Sequence, residues 1–160
     1  MSFIKLGKTK IPHLKNTKDL EAVRLSAPDS VTILMSQHIG KPANVSVAVG
    51  DKVYVGTKIG LADGFVSANV HSSVSGTVKK IEDYQLENGS YTKAVIIESD
   101  GEMTPDPSIA PVSVSSADEL VLAGRECGLV GLGGAGFPTY AKLSEKAEER
   151  AFISDLSRPL

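Results

Sequence analysis

The chain has 160 residues, 41% of them apolar, only 5% aromatic and none tryptophan, with a net charge of −2. That length suits roughly one domain with a small appendage, and its core has to come from Val, Ile, Leu and Ala. The charge offers no field for nucleic acid, the lone Cys127 permits no intrachain disulfide, and no apolar run approaches the ~18 residues of a membrane span.

In chain order, residues 1–30 are polar and broken by Pro12 and Pro28, and they read as an N-terminal arm. Their start has no apolar stretch of signal-peptide type, and Lys5, Lys8, Lys10, Lys15 and Lys18 read as solvated charge. Residues 31–100 are β in texture. Apolar alternation runs over 31–35 and 45–49, then 53–55, 58–62 and 65–71, then 74–81 and 91–98. Gly50-Asp51 and Asp63-Gly64 supply turn dipeptides, the second of hairpin type. Short strands at this spacing predict a small barrel or sandwich, a mainly β fold. A glycine between β-branched residues recurs in 47–53 and 74–78, a degenerate repeat that suits two interlocked β-hammerheads. The expected core is Val31, Ile33, Val45, Val47, Val53, Ile59, Val66, Val74, Val78, Ile81, Val95 and Ile97.

Residues 101–114, with Pro105, Pro107 and Pro111, read as an extended linker. At 115–160 the period changes from 2 to 3.6, which marks a domain boundary. Ser116 and Glu119 form a capping box, and Leu120, Ala123 and Cys127 fall on one helical stripe. Gly128 suits a C-cap, and a charged helix is expected from about 138 or 144 towards 156.

Between those helices lies Gly131-Leu132-Gly133-Gly134-Ala135-Gly136-Phe137-Pro138-Thr139-Tyr140-Ala141-Lys142. Backbone so bare of side chains can turn sharply and bring N–H groups against a ligand. Phe137 offers a flat apolar face and Lys142 a positive charge, which together suit a phosphorylated, ring-bearing cofactor. The string satisfies G-x-G-x-x-G, and Asp155 stands near the acidic position of a dinucleotide fingerprint. That fingerprint needs a strand before the first glycine, whereas a helix is expected there, so the Rossmann reading is disfavoured. His13, His38 and His71 lack metal-ligand spacing, and hydrogen bonding at turns is the expected role of the last two. Cys127 is expected to pack on its helix stripe.

The long string closely resembles the G-x-G-G-A-G-F-P-T-x-x-K loop of the flavin- and NADH-binding subunit of respiratory complex I. It resembles still more the C subunit of Rnf-type ion-translocating ferredoxin:NAD oxidoreductases. Ser36-Gln37-His38-Ile39-Gly40-Lys41-Pro42-Ala43, Val49-Gly50-Asp51-Lys52-Val53, Ala62-Asp63-Gly64-Phe65-Val66-Ser67-Ala68 and Val70-His71-Ser72-Ser73-Val74-Ser75-Gly76-Thr77-Val78 resemble that family in the same order. Cobalamin reductases of propanediol utilisation, and a protein acting alongside proline reductase, share the plan. The resemblance covers roughly 31–143.

It implies a barrel-sandwich hybrid (lipoyl/biotinyl-like) domain, followed by a short helical segment with the glycine-rich loop. On that reading 1–30 is the arm, 31–100 the barrel-sandwich domain, 101–114 the linker, and 115–160 the truncated start of an FMN/NADH-binding domain. The cofactors implied for the full-length protein are FMN and NAD(H). Gly131, Gly133, Gly134, Ala135 and Gly136 would give backbone approach, Phe137 would stack on a ring and Lys142 would meet phosphate. Implied partners are the other members of a membrane electron-transport complex, which would hold the chain at the cytoplasmic side of the inner membrane without insertion of its own.

The chain also departs from the family. After Leu143 it reads Ser144-Glu145-Lys146-Ala147-Glu148-Glu149-Arg150, and one cysteine cannot ligate the iron–sulfur clusters of the family's later motifs. It is therefore expected to be the N-terminal part of a longer protein, an early-terminated product or a recruited module, and inactive alone as an NADH:ferredoxin-type oxidoreductase. The alternative is a non-catalytic docking module for partner subunits, or the matching part of a cobalamin reductase. The turn Asp63-Gly64-Phe65-Val66 lacks the lysine of lipoyl and biotinyl carriers, which argues against a swinging arm.

Overall fold

The computed structural model describes residues 16–144. Seven strands make two antiparallel sheets. β1 (Ser30–Leu34), β7 (Tyr91–Ser99), β6 (Gly76–Gln85) and β3 (Lys52–Val53) are neighbours in that order in the larger sheet. β2 (Asn44–Val45), β4 (Lys58–Leu61) and β5 (Val70–His71) form the smaller one. The chain is mainly β, as its alternation predicts.

Register explains the core. Val31 faces Ile97 and Ile33 faces Val95 across β1 and β7, while Val78 and Ile81 on β6 face the same two residues of β7. Val78 and Ile81 are three apart, so a regular strand would put them on opposite faces. A bulge between Val78 and Lys80 restores them to one. Ile59 and Val70 from the smaller sheet, with Met35, Ala43, Val53 and Val74, close the cluster. Each large aliphatic residue so buried contributes about 1.5–3 kcal/mol.

Three expectations are corrected here. Of the 45–49 run only Val45 pairs as strand, in β2, because the turn begins early: the Asp51 carboxylate accepts the Ala48 N–H at 2.8 Å, leaving Val49 exposed. The Asp63-Gly64 pair is not a tight hairpin. Residues 62–69 form a longer loop, in which the Ala62 N–H donates to Asn69 Oδ1 (2.9 Å) and the Asp63 N–H to Ser67 Oγ (3.0 Å). Val66 consequently stands outside the core cluster, while Met35 and Ala43 occupy it.

After β7 the chain crosses back over the β3–β4 turn. The Val55 N–H donates to the Thr104 carbonyl (3.0 Å), the Asp106 N–H to that of Val55 (2.9 Å), and Thr57 Oγ1 to Asp106 Oδ2 (2.5 Å). Two helices follow, α1 (Ala117–Glu126) and α2 (Thr139–Leu143). Ser116 caps α1 by accepting the Glu119 N–H, and the Glu119 carboxylate accepts the N–H of Ser115 (2.6 Å), one residue before the cap. The stripe expected on α1 is misplaced: Leu120 and Cys127 are exposed and Gly124 is the buried position. Gly124 faces Tyr140 of α2, and a Cβ there would make ordinary contact with the Tyr140 Cβ at 3.8 Å. The continuation of α2 towards 156, Asp155, His13 and the early lysines lie outside the described residues, apart from Lys18. Among the described residues no helix is long and apolar enough to cross a membrane.

Candidate functional site

The glycine-rich stretch is a loop closed at its neck. Val130 and Pro138 form an antiparallel bridge, the Gly131 N–H donates to the Phe137 carbonyl (2.9 Å), and the Thr139 N–H to that of Leu129 (2.9 Å). Its far side is pinned to the β unit, where the Ile39 N–H donates to the Ala135 carbonyl (3.0 Å). Gly136 sits at φ +63°, and a Cβ there would lie 3.1 Å from the Gln37 carbonyl oxygen. Gly134 is also left-handed, at φ +69°, but a side chain on it would meet nothing within 4 Å. Gly133 needs neither an unusual φ nor close approach to another part of the chain.

The facing wall is the segment 36–43. Its register is fixed by bonds from the Met35 N–H to the Lys93 carbonyl (2.8 Å), from the Lys41 N–H to that of Val66 (2.9 Å), and from Ser67 Oγ to that of Lys41 (2.8 Å). His38 is buried within it. Nε2 accepts the Ala68 N–H at 3.1 Å, so the ring proton is on Nδ1, which donates to the Ile39 carbonyl at 3.0 Å. Lys41 and Asn44 both bind the Asp63 carboxylate, at 2.6 and 3.0 Å, and hold its pKa below the ordinary value. The Ser67–Lys41 bond spans 26 residues of sequence and makes one packed unit of the 36–43 and 62–68 motifs.

Between loop and wall lies an open cleft of about 570 Å³, lined by Gln37, His38, Ile39, Val130, Gly131, Leu132, Gly134, Ala135 and Gly136. Among the described residues, the amides of Leu132, Gly133, Gly134, Ala135, Gly136 and Phe137 donate to no acceptor of the chain. A run of free donors with two left-handed glycines is suited to accepting the oxygens of an anion. The sequence places Gly133, Phe137 and Lys142 with these residues, but they do not line the cleft. The Lys142 ammonium lies over the Phe137 ring, 5.3 Å from its centroid, so these two side chains engage each other. Gln37, His38 and Ile39 are the residues that sequence reasoning leaves out of the site. Their signal is the motif at 36–43, whose position against the loop only the fold reveals.

Two further contacts fix the loop's flanks. At the end of α1 the Gly128 N–H donates to the Arg125 carbonyl (3.1 Å) and the Leu129 N–H to that of Gly124 (3.0 Å), a Schellman stop with Gly128 at φ +63°. Asn69 Nδ2 donates to the carbonyls of Arg125 and Glu126 (both 3.3 Å), and Lys58 pairs with the Glu126 carboxylate. Beyond the loop, the Tyr140 hydroxyl donates to the carbonyls of Gly64 and Phe65, and its ring meets Phe65 edge-on at 6.1 Å. His71, beside the α1 terminus, has its pKa lowered first by burial and then by Lys58, against an opposing effect of Glu126. His38 and His71 are thus a bonded turn residue and a junction residue. No cluster of three or more His, Cys, Asp or Glu able to hold a metal occurs among the described residues.

Comparison with known proteins gives the same family from several sides. Residues 5–102 match the RnfC barrel sandwich hybrid domain. The C subunit of the Na⁺-translocating ferredoxin:NAD⁺ oxidoreductase complex of Acetobacterium woodii is 45% identical over 120 residues, covering 73% of this chain and 27% of that protein. The C subunit of the proton-translocating ferredoxin:NAD⁺ oxidoreductase complex of Clostridium ljungdahlii is 38% identical over 132 residues, covering 79% and 28%. In Pseudomonas aeruginosa, the C subunit of the ion-translocating oxidoreductase complex is 42% identical over 123 residues, covering 72% and 16%. The chain spans 16–28% of the length of these relatives.

Proposed function

This chain belongs to the RnfC barrel-sandwich hybrid family, and from that premise we propose that it is the N-terminal portion of an electron-transport complex subunit whose residues 131–142 meet FMN and a nicotinamide nucleotide. Residues 31–100 are then the scaffold domain, 101–114 the linker and 115–160 the start of the FMN/NADH-binding domain. Its partners are the other members of an ion-translocating complex, through which it is held to the cytoplasmic face of the membrane.

The observation that carries this reading is the run of six amides with no acceptor among the described residues, in a loop with glycine where those residues do not require it. Gly136 is explained by contact with 37–38, but nothing within 4 Å explains Gly133. A ligand pressed against the backbone would. The amides of 132–137 would hold phosphate oxygens, and Lys142 would add charge by swinging from its place over the Phe137 ring. A bound flavin supplies the exchange between hydride and single-electron chemistry. The chain's own work is to bind, orient and partly exclude water. With one side of the cleft open, affinity is expected to be weak and NADH oxidation by this chain alone absent. A scaffold role without cofactor also has an observation behind it: Leu129, Val130 and Leu132, where the chain enters the loop, are all exposed and apolar, as a docking contact would be.

The test is an amide-resolved titration of the chain with FMN and with NADH. Shifts confined to 37–39 and 131–137, saturating with a Kd of about 1 mM, are expected. Gly133→Val should abolish them without moving the melting temperature. An unresponsive loop, or a Gly133→Val protein that binds like the parent, overturns the cofactor reading in favour of docking.

A further inference from the structure

The glycine loop closes its own neck, but its far side rests on the β domain through the bond from the Ile39 N–H to the Ala135 carbonyl. We infer that His38 is a positioning residue for the cleft, holding the Gln37-His38-Ile39 segment as the wall on which the glycine loop is hung. This inference rests on the cofactor reading just given.

His38 is 9% exposed and uses both ring nitrogens on backbone, Nε2 on the Ala68 N–H and Nδ1 on the Ile39 carbonyl. The Ala68 bond anchors the segment to the buried end of the 62–69 loop across 30 residues of sequence. The peptide so anchored makes the loop contacts: the Ile39 N–H takes the Ala135 carbonyl, and the Gln37 carbonyl and His38 Cα set how near Gly136 can come. Gly131, Gly134, Ala135 and Gly136 therefore line the cleft opposite a segment whose backbone the His38 ring holds. The arrangement gives the barrel-sandwich domain a share in ligand geometry beyond that of a spacer. Free amides bind an anion well only if they converge before it arrives, since ordering the loop on binding would cost affinity.

Three variants separate this from ordinary packing. In His38→Gln the side chain reaches the Nε2 position and can still accept from Ala68. In His38→Asn it reaches only the Nδ1 position, and in His38→Ala neither. Ile39 amide exchange, read without ligand, should be parent-like in His38→Gln and about tenfold faster in His38→Asn and His38→Ala. FMN affinity should fall in the same order, with Val95 and Ile97 amides still protected in all. If His38→Ala does not fold, the Gln and Asn pair decides. Equal Ile39 exchange in those two, or parent FMN affinity in a folded His38→Asn, overturns the inference. Should the parent itself leave FMN unbound, the cofactor reading fails, while the exchange order alone still tells whether His38 sets the loop.

Discussion

Gly128 is constrained twice. It holds φ +63°, and a Cβ on it would lie 2.2 Å from the Asn69 carbonyl oxygen and 3.2 Å from His71 Cε1. The backbone conformation alone costs a non-glycine residue about 1–3 kcal/mol, and the Asn69 carbonyl cannot move without disturbing the loop whose closing bond Asn69 makes. Gly128→Ala is therefore expected to release the end of α1 and leave the core intact. Amide exchange should rise at Leu129 and through α1, with little change at Val78 and Val95. Unchanged exchange at Leu129 would mean that the helix end is held from elsewhere. Its neighbour Cys127, which helical spacing assigns to the apolar stripe, is the capping residue just before the left-handed turn. That position leaves it outside the stripe and exposed.

Among the elements, strands are legible where they pair over a long register, as β1 does with β7 and β6 does with β7. β1, β6 and β7 follow their alternation closely because each side-chain pair across the register is apolar on one face. The runs at 45–49 and 65–71 alternate as well, but alternation says nothing of whether a neighbour exists, and side-chain to backbone bonds from Asp51, Ser67 and Asn69 replace the ladder there. The same physics limits what can be read of the site. A glycine run announces bare backbone, while the wall it hangs on depends on a long-range bond of His38 that no local pattern encodes. Burial, by contrast, orders two substitutions on the strands. Val78→Asp would bury a carboxylate at a position with 0% exposure, and several kcal/mol of a total of about 5–15 should leave the domain unfolded. Val47, only half-buried at the core's margin, lets an aspartate reach water, so Val47→Asp should fold with a lowered melting temperature. Equal damage from both, by thermal melting, would place Val47 inside the core.

At the scale of the whole molecule, the joints between segments are carboxylates. Asp63 joins the 36–43 and 62–69 loops, Asp100 takes the Ser75 hydroxyl (2.6 Å), Asp106 takes those of Ser108 (2.6 Å) and Thr57, and Glu126 takes Lys58. In each the leading cause is a side-chain hydrogen bond to the ionised form: from Lys41 for Asp63, Ser75 for Asp100, Ser108 for Asp106 and Lys58 for Glu126. All four pKa values are lowered from ordinary ones of 3.8 for the aspartates and 4.5 for Glu126. A depressed folded-state value means that the unfolded chain takes up protons first as pH falls. The stability these groups contribute is thus complete above about pH 5 and lost on the way down through their folded values. His71 has the same sign, since its folded value is lowered from 6.5, and its contribution begins to fade below that pH. The urea midpoint should be level above neutrality, decline slightly below about pH 6.5 and fall steeply below about pH 4. In Asp106→Asn part of the acid slope should disappear. A midpoint constant from neutral pH into the acid range would show that these joints hold nothing.

The seam between the β unit and its helical extension is written mostly in main chain. Asn69 reads two carbonyls at the end of α1, the Tyr140 hydroxyl reads two in the 62–69 loop, and Gly128 rests on a fifth, that of Asn69. Carbonyls are the same whatever side chain they belong to. Such a seam leaves Arg125, Gly64 and Phe65 free to drift as far as those bonds are concerned, with Asn69, Gly128 and Tyr140 as the letters those bonds keep fixed. A barrel module joined in this way can sit beside different glycine-loop segments, provided that the module keeps Asn69 and the segment keeps Gly128 and Tyr140.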